Sequence, residues 1–247
     1  MTTTAVVTGG ASGMGRSICQ HLARQGHSVT VADLNGANAE QVVSEIEAEG
    51  GRALACAMDT SDRAQVDRTM EQTRSAFGPI GILVTSAGIS RFEPFRQITL
   101  ESWNRVIEIN LTGTFHCIQS ALDDMVEAHW GRVVMISSSS AQRGASRMAH
   151  YSASKGGILA LTKTLGIELA PLGITVNNIA PSSIDTPMVE EWRAAGVMES
   201  TEAMARRIPV GRAGTGDDIA AACTFLCSPE ASYITGQTLS VNGGSYV

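Results

Sequence analysis

A doubly wound α/β fold built on one seven-stranded parallel sheet is the architecture this sequence predicts, on three observations. Seven short, β-branched and nearly all-apolar runs are separated by stretches of helical length with one apolar face. The runs lack the polar alternation of a sheet with one wet face, so both faces are expected to be covered. Glycines sit where each helix should stop, at Gly26, Gly50-Gly51, Gly78-Pro79 and Gly173. Strands alternating with helices in this way imply βαβ units.

Taken in order, the expected strands are Ala5–Thr8, Ser28–Ala32, Ala53–Met58, Ile82–Thr85, Arg132–Ile136, Thr175–Ile179 and Thr238–Val241. A helix should begin near Arg16, after a glycine-rich loop. The next is Ala39–Glu49, where Val42, Val43 and Ile46 share a face, followed by Ala64–Phe77. No repeat, Pro/Ser-rich linker or composition shift divides the chain, so residues 1–247 are read as one domain. The longest stretch without strand character is Thr186–Gly211, between the sixth and seventh strands. An insertion at a strand's carboxyl end faces the ligand crevice of an open α/β sheet. It is read as a substrate-covering segment, although a purely structural helical pair would look similar.

The 247 residues are 43% hydrophobic and 17% charged, with a net charge of −6. Such a chain can bury a sizeable core, and only 4% aromatics leave Ala, Val, Ile and Leu to build it. The negative balance without a basic cluster argues against nucleic acid as a partner. Five cysteines, Cys19, Cys56, Cys117, Cys223 and Cys227, form no disulfide framework. Cys223 and Cys227, four residues apart in an apolar stretch, read as small core residues rather than a metal site. The N-terminus MTTTAVVTGG lacks the layout of a signal peptide, and no run approaches the length of a membrane span. A soluble, cytoplasmic protein with no membrane or metal partner is expected.

The first strand runs into TGGASGMG, Thr8 to Gly15. Glycines at 9, 13 and 15 permit a tight turn, close backbone approach to a pyrophosphate and close helix packing. The helix start behind them offers unpaired N–H groups and a favourable dipole end to an anion. Asp33 closes the second strand. A carboxylate there accepts hydrogen bonds from both ribose hydroxyls of NAD and repels a 2′-phosphate. No Lys or Arg follows until Arg52, so NAD is preferred to NADP. The other reading of Asp33 is a turn cap with Asn35-Gly36.

Tyr151–Ser152–Ala153–Ser154–Lys155 carries the most information. With three tyrosines in the chain and only Lys155 and Lys163 as lysines, chance gives this spacing in about 2% of such chains. On a helix, residues four apart share a face. A phenol titrates near 10, too high for a proton carrier at neutrality, and an adjacent ammonium would lower it.

Together, TGxxxGxG after the first strand, Asp after the second and YxxxK near residue 150 resemble the short-chain dehydrogenases/reductases. The resemblance is to the branch of about 250 residues. It extends over essentially the full chain and includes ITGQTLSVNGG, Ile234 to Gly244. It implies a Rossmann-like doubly wound fold and an NAD-dependent oxidoreductase that interconverts a secondary alcohol and a ketone by hydride transfer. In that resemblance Tyr151 is the general acid/base and Ser138, thirteen residues earlier, hydrogen-bonds the substrate oxygen; Ser139 or Ser140 could also line the pocket. Lys155 lowers the Tyr151 pKa and holds the nicotinamide ribose. Asn110, in IEINLTG, matches the asparagine of a water-mediated proton relay; its other reading is a polar residue satisfying a helix kink. The implied cofactor contacts are Gly9, Ser12, Gly13, Met14 and Gly15 in the loop, and Asp33 with Leu34 after the second strand. Asp59 and Thr60 would meet the adenine, Ser86, Ala87 and Gly88 follow the fourth strand, and Ile184 and Thr186 would hold the carboxamide.

Two positions depart from the family pattern. Thr85-Ser86-Ala87-Gly88 replaces Asn-Asn-Ala-Gly, so the asparagine hydrogen bonds must be replaced. Pro181-Ser182 replaces Pro-Gly, and serine would be strained if that position required a positive φ. The resemblance also implies a homo-oligomer, usually a tetramer, with the long helices around Ser102–Glu127 and Ser152–Ala170 at an interface.

A free alcohol, ketone or cyclic substrate is the favoured expectation. The alternative is a 3-oxoacyl thioester on acyl carrier protein or CoA. Carrier-protein reductases of the family place basic residues where this chain has Glu127, Ala128, His129 and Leu172, so an acidic carrier would lose electrostatic help. Arg147 and Arg91 could meet an anionic substrate, or be solvated or face another subunit. Trp192, Met188, Met198 and Met204 could give the covering segment an adaptable apolar face, or be ordinary packing. A non-catalytic dinucleotide-binding sensor is the remaining alternative, and it would not need Tyr151, Lys155, Ser138 and Asn110 together.

Overall fold

The computed structural model describes residues 2–246 except 195 and 197. Seven parallel strands form one sheet in the order β3-β2-β1-β4-β5-β6-β7. They are β1 Thr4–Thr8, β2 Ser28–Asp33, β3 Arg52–Ala57, β4 Ile80–Thr85, β5 Gly131–Ile136, β6 Ile174–Pro181 and β7 Thr238–Val241. Every expected strand is present, with ends displaced by one or two residues. Met58 falls just past β3, where its N–H donates to the Asp33 carbonyl.

Pleat alternation sends neighbouring residues of the inner strands to opposite faces. Val7, Val84 and Val134 join one buried cluster with Ile18 and Leu22 of α1 (Gly13–Arg24), Ile46 of α2 (Gly36–Ala48) and Ile219 of α10 (Gly216–Cys227). Val6, Leu83 and Val133 join the other, against Met70 of α3 (Arg63–Phe77), Ile118 and Met125 of α5 (Gly113–Glu127) and Ile158 of α7 (Ala149–Glu168). Both faces are therefore covered, which is why the inner strands carry no alternating polar pattern. All five cysteines are buried, with Cys19, Cys223 and Cys227 in the first cluster.

The stretch expected as one helix over Ser102–Glu127 is interrupted. It consists of α4 (Leu100–Ile107), a wide π-type turn at Glu108–Thr112, and α5. Such turns inside helices release backbone groups and re-aim a side chain; here that side chain is Asn110. The covering stretch holds two short helices, α8 (Pro187–Ala194) and α9 (Thr201–Ala205). Among the described residues, no helix is long and apolar enough to cross a membrane.

The strand order reverses between the adjacent parallel strands β1 and β4: from β1 the chain steps outward to β2 and β3, and from β4 to β5, β6 and β7. Loops leaving the carboxyl ends of β1 and β4 diverge and open a crevice at that point.

Candidate active site

The β1–α1 loop forms one wall of this crevice. Gly9 has φ +65° and lies so close to β4 that an added Cβ would stand 2.8 Å from the Ala87 backbone. Gly13 has φ +50°, and a Cβ on Gly15 would stand 2.0 Å from the Gly9 carbonyl oxygen. All three positions exclude a side chain, for conformational or steric reasons. Ser12 starts α1 without a side-chain cap, so the helix's first N–H groups face the crevice without that partner. This is a cradle of the kind a pyrophosphate fits.

Asp33 is held by its neighbours. One carboxylate oxygen accepts from the Ala11 N–H at 3.1 Å and the other from the Asn35 N–H at 2.9 Å. The carboxylate thus ties the end of β2 to the glycine loop, and the turn-capping reading and the ribose reading describe the same side chain. The crevice is also lined by Ser12, Met14, Leu34, Asp59, Thr60, Ser86, Ala87, Gly88 and Thr186. Of the residues expected to bind the cofactor, Ile184, Tyr151 and Lys155 are not part of this lining. Ile184 lies in the adjoining cavity, and its backbone pairs with Gly214. Arg105, from α4, also faces the crevice and pairs with Asp59 at 3.5 Å and Ser61 at 3.3 Å. Sequence reasoning missed it, because nothing local ties α4 to the end of β3.

At the Thr85-Ser86 departure the buried Thr85 hydroxyl has no hydrogen-bond partner among the described residues, and only the backbone beyond it is tied down. The Thr8 hydroxyl accepts from the Ser86 and Ala87 N–H groups, both at 3.2 Å. The expected strain at Ser182 is absent: among the described residues, only His129 and Arg147 carry a positive φ without being glycine.

Tyr151 and Ser138 meet in a second cavity of about 160 Å³. It abuts the glycine-lined crevice, since Met14, Thr186 and Met188 line both. The serine run resolves by register at the end of β5. Ser137 is turned into the protein, its hydroxyl donating to Asn178 Oδ1 at 2.6 Å. Ser138 Oγ accepts from the Ser140 N–H at 3.2 Å and the Ser140 hydroxyl at 2.9 Å, which directs its own proton to the Tyr151 side of the cavity. Ser139 and Ser140 line the cavity as well.

Lys155 lies one turn past Tyr151 on α7 and is buried, its Nζ donating to the Ile136 carbonyl at 2.8 Å. Burial lowers its pKa to about 8. Tyr151 differs from the sequence expectation. Burial raises its pKa, with a hydrogen bond from Ser138 acting in the opposite direction. The ammonium, 5.9 Å from the ring centroid and turned toward Ile136, does not reverse the desolvation of the phenolate.

Asn110 is fully buried and clasps the chain after β4. Its Oδ1 accepts from the Ile89 N–H at 2.8 Å, and its Nδ2 donates to the Ile89 carbonyl at 2.9 Å and to Ser154 Oγ at 3.1 Å. A Cβ on Gly88 would stand 3.1 Å from Asn110 Oδ1 and 3.4 Å from Lys155 Nζ, so Gly88 separates the two side chains.

The covering segment contributes Met188, Val189, Trp192 and Met198 to the second cavity. Trp192 meets Phe92, from the β4–α4 connection, edge to face at 5.0 Å. Met204 is buried and does not line it. Arg91 and Arg147 do not line it either. Arg91 faces Glu93 at 3.9 Å, and Arg147 donates to the Phe92 carbonyl at 3.5 Å.

A family model described as enoyl-(acyl carrier protein) reductase matches residues 9–246. This chain is a short-chain dehydrogenase/reductase. It is 40% identical to a 3-oxoacyl-(acyl-carrier-protein) reductase of Staphylococcus aureus, over 100% of this chain and 99% of the relative. It is 36% identical to the reductase of the same name from Escherichia coli, over 98% of this chain and 97% of that protein. It is 39% identical to a subunit of the (2S)-((R)-hydroxy(phenyl)methyl)succinyl-CoA dehydrogenase of Thauera aromatica, over 97% and 95% of the two chains. Membership in the family makes the chain an oxidoreductase.

Proposed function

We propose that this oxidoreductase transfers hydride reversibly between NAD(H) and the carbinol carbon of a secondary alcohol or ketone. The observation that supports this most is the convergence of Tyr151 and Ser138 on one small cavity that abuts the glycine-lined crevice. Bound in that crevice, the nicotinamide would supply or accept the hydride. The α1 start with Gly9, Gly13 and Gly15 would hold the pyrophosphate. Asp33 would hold the ribose and disfavour a 2′-phosphate.

Ser138 turns its hydroxyl from Tyr151 to the substrate oxygen, hydrogen-bonds it and orients it. Tyr151, a protonated phenol at neutral pH, gives its proton to that oxygen in reduction; oxidation needs the phenolate, which burial disfavours, so that direction should gain at alkaline pH. Lys155, whose pKa falls to about 8, exchanges a proton in the working range behind it. Asn110 positions the segment after β4 and connects through Ser154 to α7.

The relatives' names favour a 3-oxoacyl thioester as the carbonyl compound over the free alcohol or ketone that the sequence suggested. Glu127, Ala128, His129 and Leu172 offer no cationic docking surface to an acidic carrier, which makes CoA or a simpler thioester the better match within that class. The assembled proton-transfer residues weigh against the sensor reading. As the resemblance implies, we take the protein to be a cytoplasmic homotetramer; light scattering would give its mass.

Absorbance assays with NAD(H) and NADP(H) against cyclic, aryl and acyl-thioester ketones and alcohols test the proposal. Turnover with NAD(H) supports it, and the ranking separates free ketones from thioesters. Tyr151→Phe should retain NADH binding and lose nearly all turnover. Wild-type-like turnover in that variant would sink the assignment.

A further inference from the structure

Around the second cavity, charge is distributed unevenly. Its lining is apolar or neutral hydroxyl throughout, apart from one charged side chain, Arg143, at the end of α6 (Ser140–Arg143). Among the described residues, no Asp or Glu lines the cavity. Most neighbouring arginines are otherwise engaged: Arg91 pairs with Glu93, Arg193 with Asp185 and Glu190, Arg207 with Glu199 and Arg212 with Asp218, while Arg147 donates to the Phe92 carbonyl. Among the described residues, the Arg143 guanidinium has no carboxylate partner and no side-chain hydrogen bond, and it is exposed at the cavity.

Resting on the alcohol/ketone reading above, we propose that Arg143 is a specificity residue and that the substrate carries a carboxylate close to its reacting carbon. A guanidinium presents a planar fork of donors that matches a carboxylate in two-point geometry. Arg143 and Tyr151 line the same small cavity, so the anion it meets belongs to a compact substrate. A phosphate at the far end of a CoA arm would lie beyond that cavity. Phe92, Trp192, Met148 and Met188 surround the remainder with apolar and aromatic surface. The complement is an apolar body with one acidic end, its carbonyl or hydroxyl oxygen placed at Tyr151 and Ser138.

The test compares an aryl keto acid, 4-oxo-4-phenylbutanoate, with its methyl ester, and acetoacetyl-CoA with the uncharged acetoacetyl-N-acetylcysteamine. Each is assayed with NADH on wild type, Arg143→Gln and Arg143→Lys. The acid-to-ester ratio of kcat/KM should fall by about tenfold or more in Arg143→Gln, as expected on losing a charge-assisted pair, and recover in part in Arg143→Lys. The ratio for the two thioesters should not change. An acid-to-ester ratio equal in wild type and Arg143→Gln overturns the proposal, as does a change confined to the CoA ratio, which would place the anion on the carrier. Dissociation constants of the acid and ester from the NADH complex, read by nicotinamide fluorescence, follow the same contact without chemistry. Acid binding that weakens in Arg143→Gln while no ketone is turned over supports the Arg143 contact and sinks the reductase reading. Turnover of both ketones with an unchanged ratio does the reverse.

Discussion

Replacing Asn110 with alanine removes three hydrogen bonds of a buried side chain at once, one fully buried and two part-buried. The lost partners are the Ile89 N–H, the Ile89 carbonyl and Ser154 Oγ. The two Ile89 backbone groups have no strand to pair with at this position, because β4 ends at Thr85. Each bond contributes about 1 kcal/mol net, so the loss should be about 3 kcal/mol. For a chain of this size, that is a fall in Tm of at least about 6 °C. Urea and thermal unfolding followed by far-UV circular dichroism would measure it. Asn110→Asp supplies a signed companion: the ionised carboxylate faces the Ile89 carbonyl and cannot donate. Protonation restores a donor, so the variant's deficit should shrink as pH falls. A loss below about 1 kcal/mol in Asn110→Ala would refute the clasp as a structural element and leave only a relay role.

Other perturbations report on separate parts of the site. Gly15→Ala would bring a Cβ to 2.0 Å from the Gly9 carbonyl oxygen; the loop must move, so NADH binding should weaken at least tenfold, as titration by fluorescence would show. Asp33→Ser should lower the NADH-to-NADPH ratio of kcat/KM by about tenfold or more, since a lost charge-assisted bond and a lost repulsion act together. An unchanged ratio would return Asp33 to a turn-capping role. Lys155 carries a pKa lowered to about 8 from 10.5, so its buried charge penalises the fold below that value. As pH rises from about 8 to 10.5, the folded state releases this proton before the unfolded chain does, and this group's contribution to stability rises. Lys155→Met should remove that contribution, so the Tm difference between variant and wild type should move in favour of wild type across the window. A constant difference would place the titration elsewhere.

The strands, their order of appearance and the Tyr151–Lys155 pair were legible in the sequence because each depends on local or periodic information. β-branched apolar runs report burial on both faces, and residues four apart on a helix must share a side. The glycines of Thr8–Gly15 were legible for the same reason: their steric exclusion is a property of one turn, and the structure shows the contacts that enforce it. The break between α4 and α5 was legible only as one of two readings of Asn110, a helix kink, because the side chain's partner, Ile89, lies twenty-one residues away. The sequence singled out Arg91 and Arg147 and missed Arg143, the arginine that lines the cavity. All three flank the chemistry along the chain, and only long-range packing decides which guanidinium opens into the cavity and which are turned to Glu93 or the Phe92 carbonyl. The Tyr151 phenol followed the same division. Spacing determined that Lys155 lies one turn away, while desolvation, which depends on everything packed around the ring, decided the direction of its pKa.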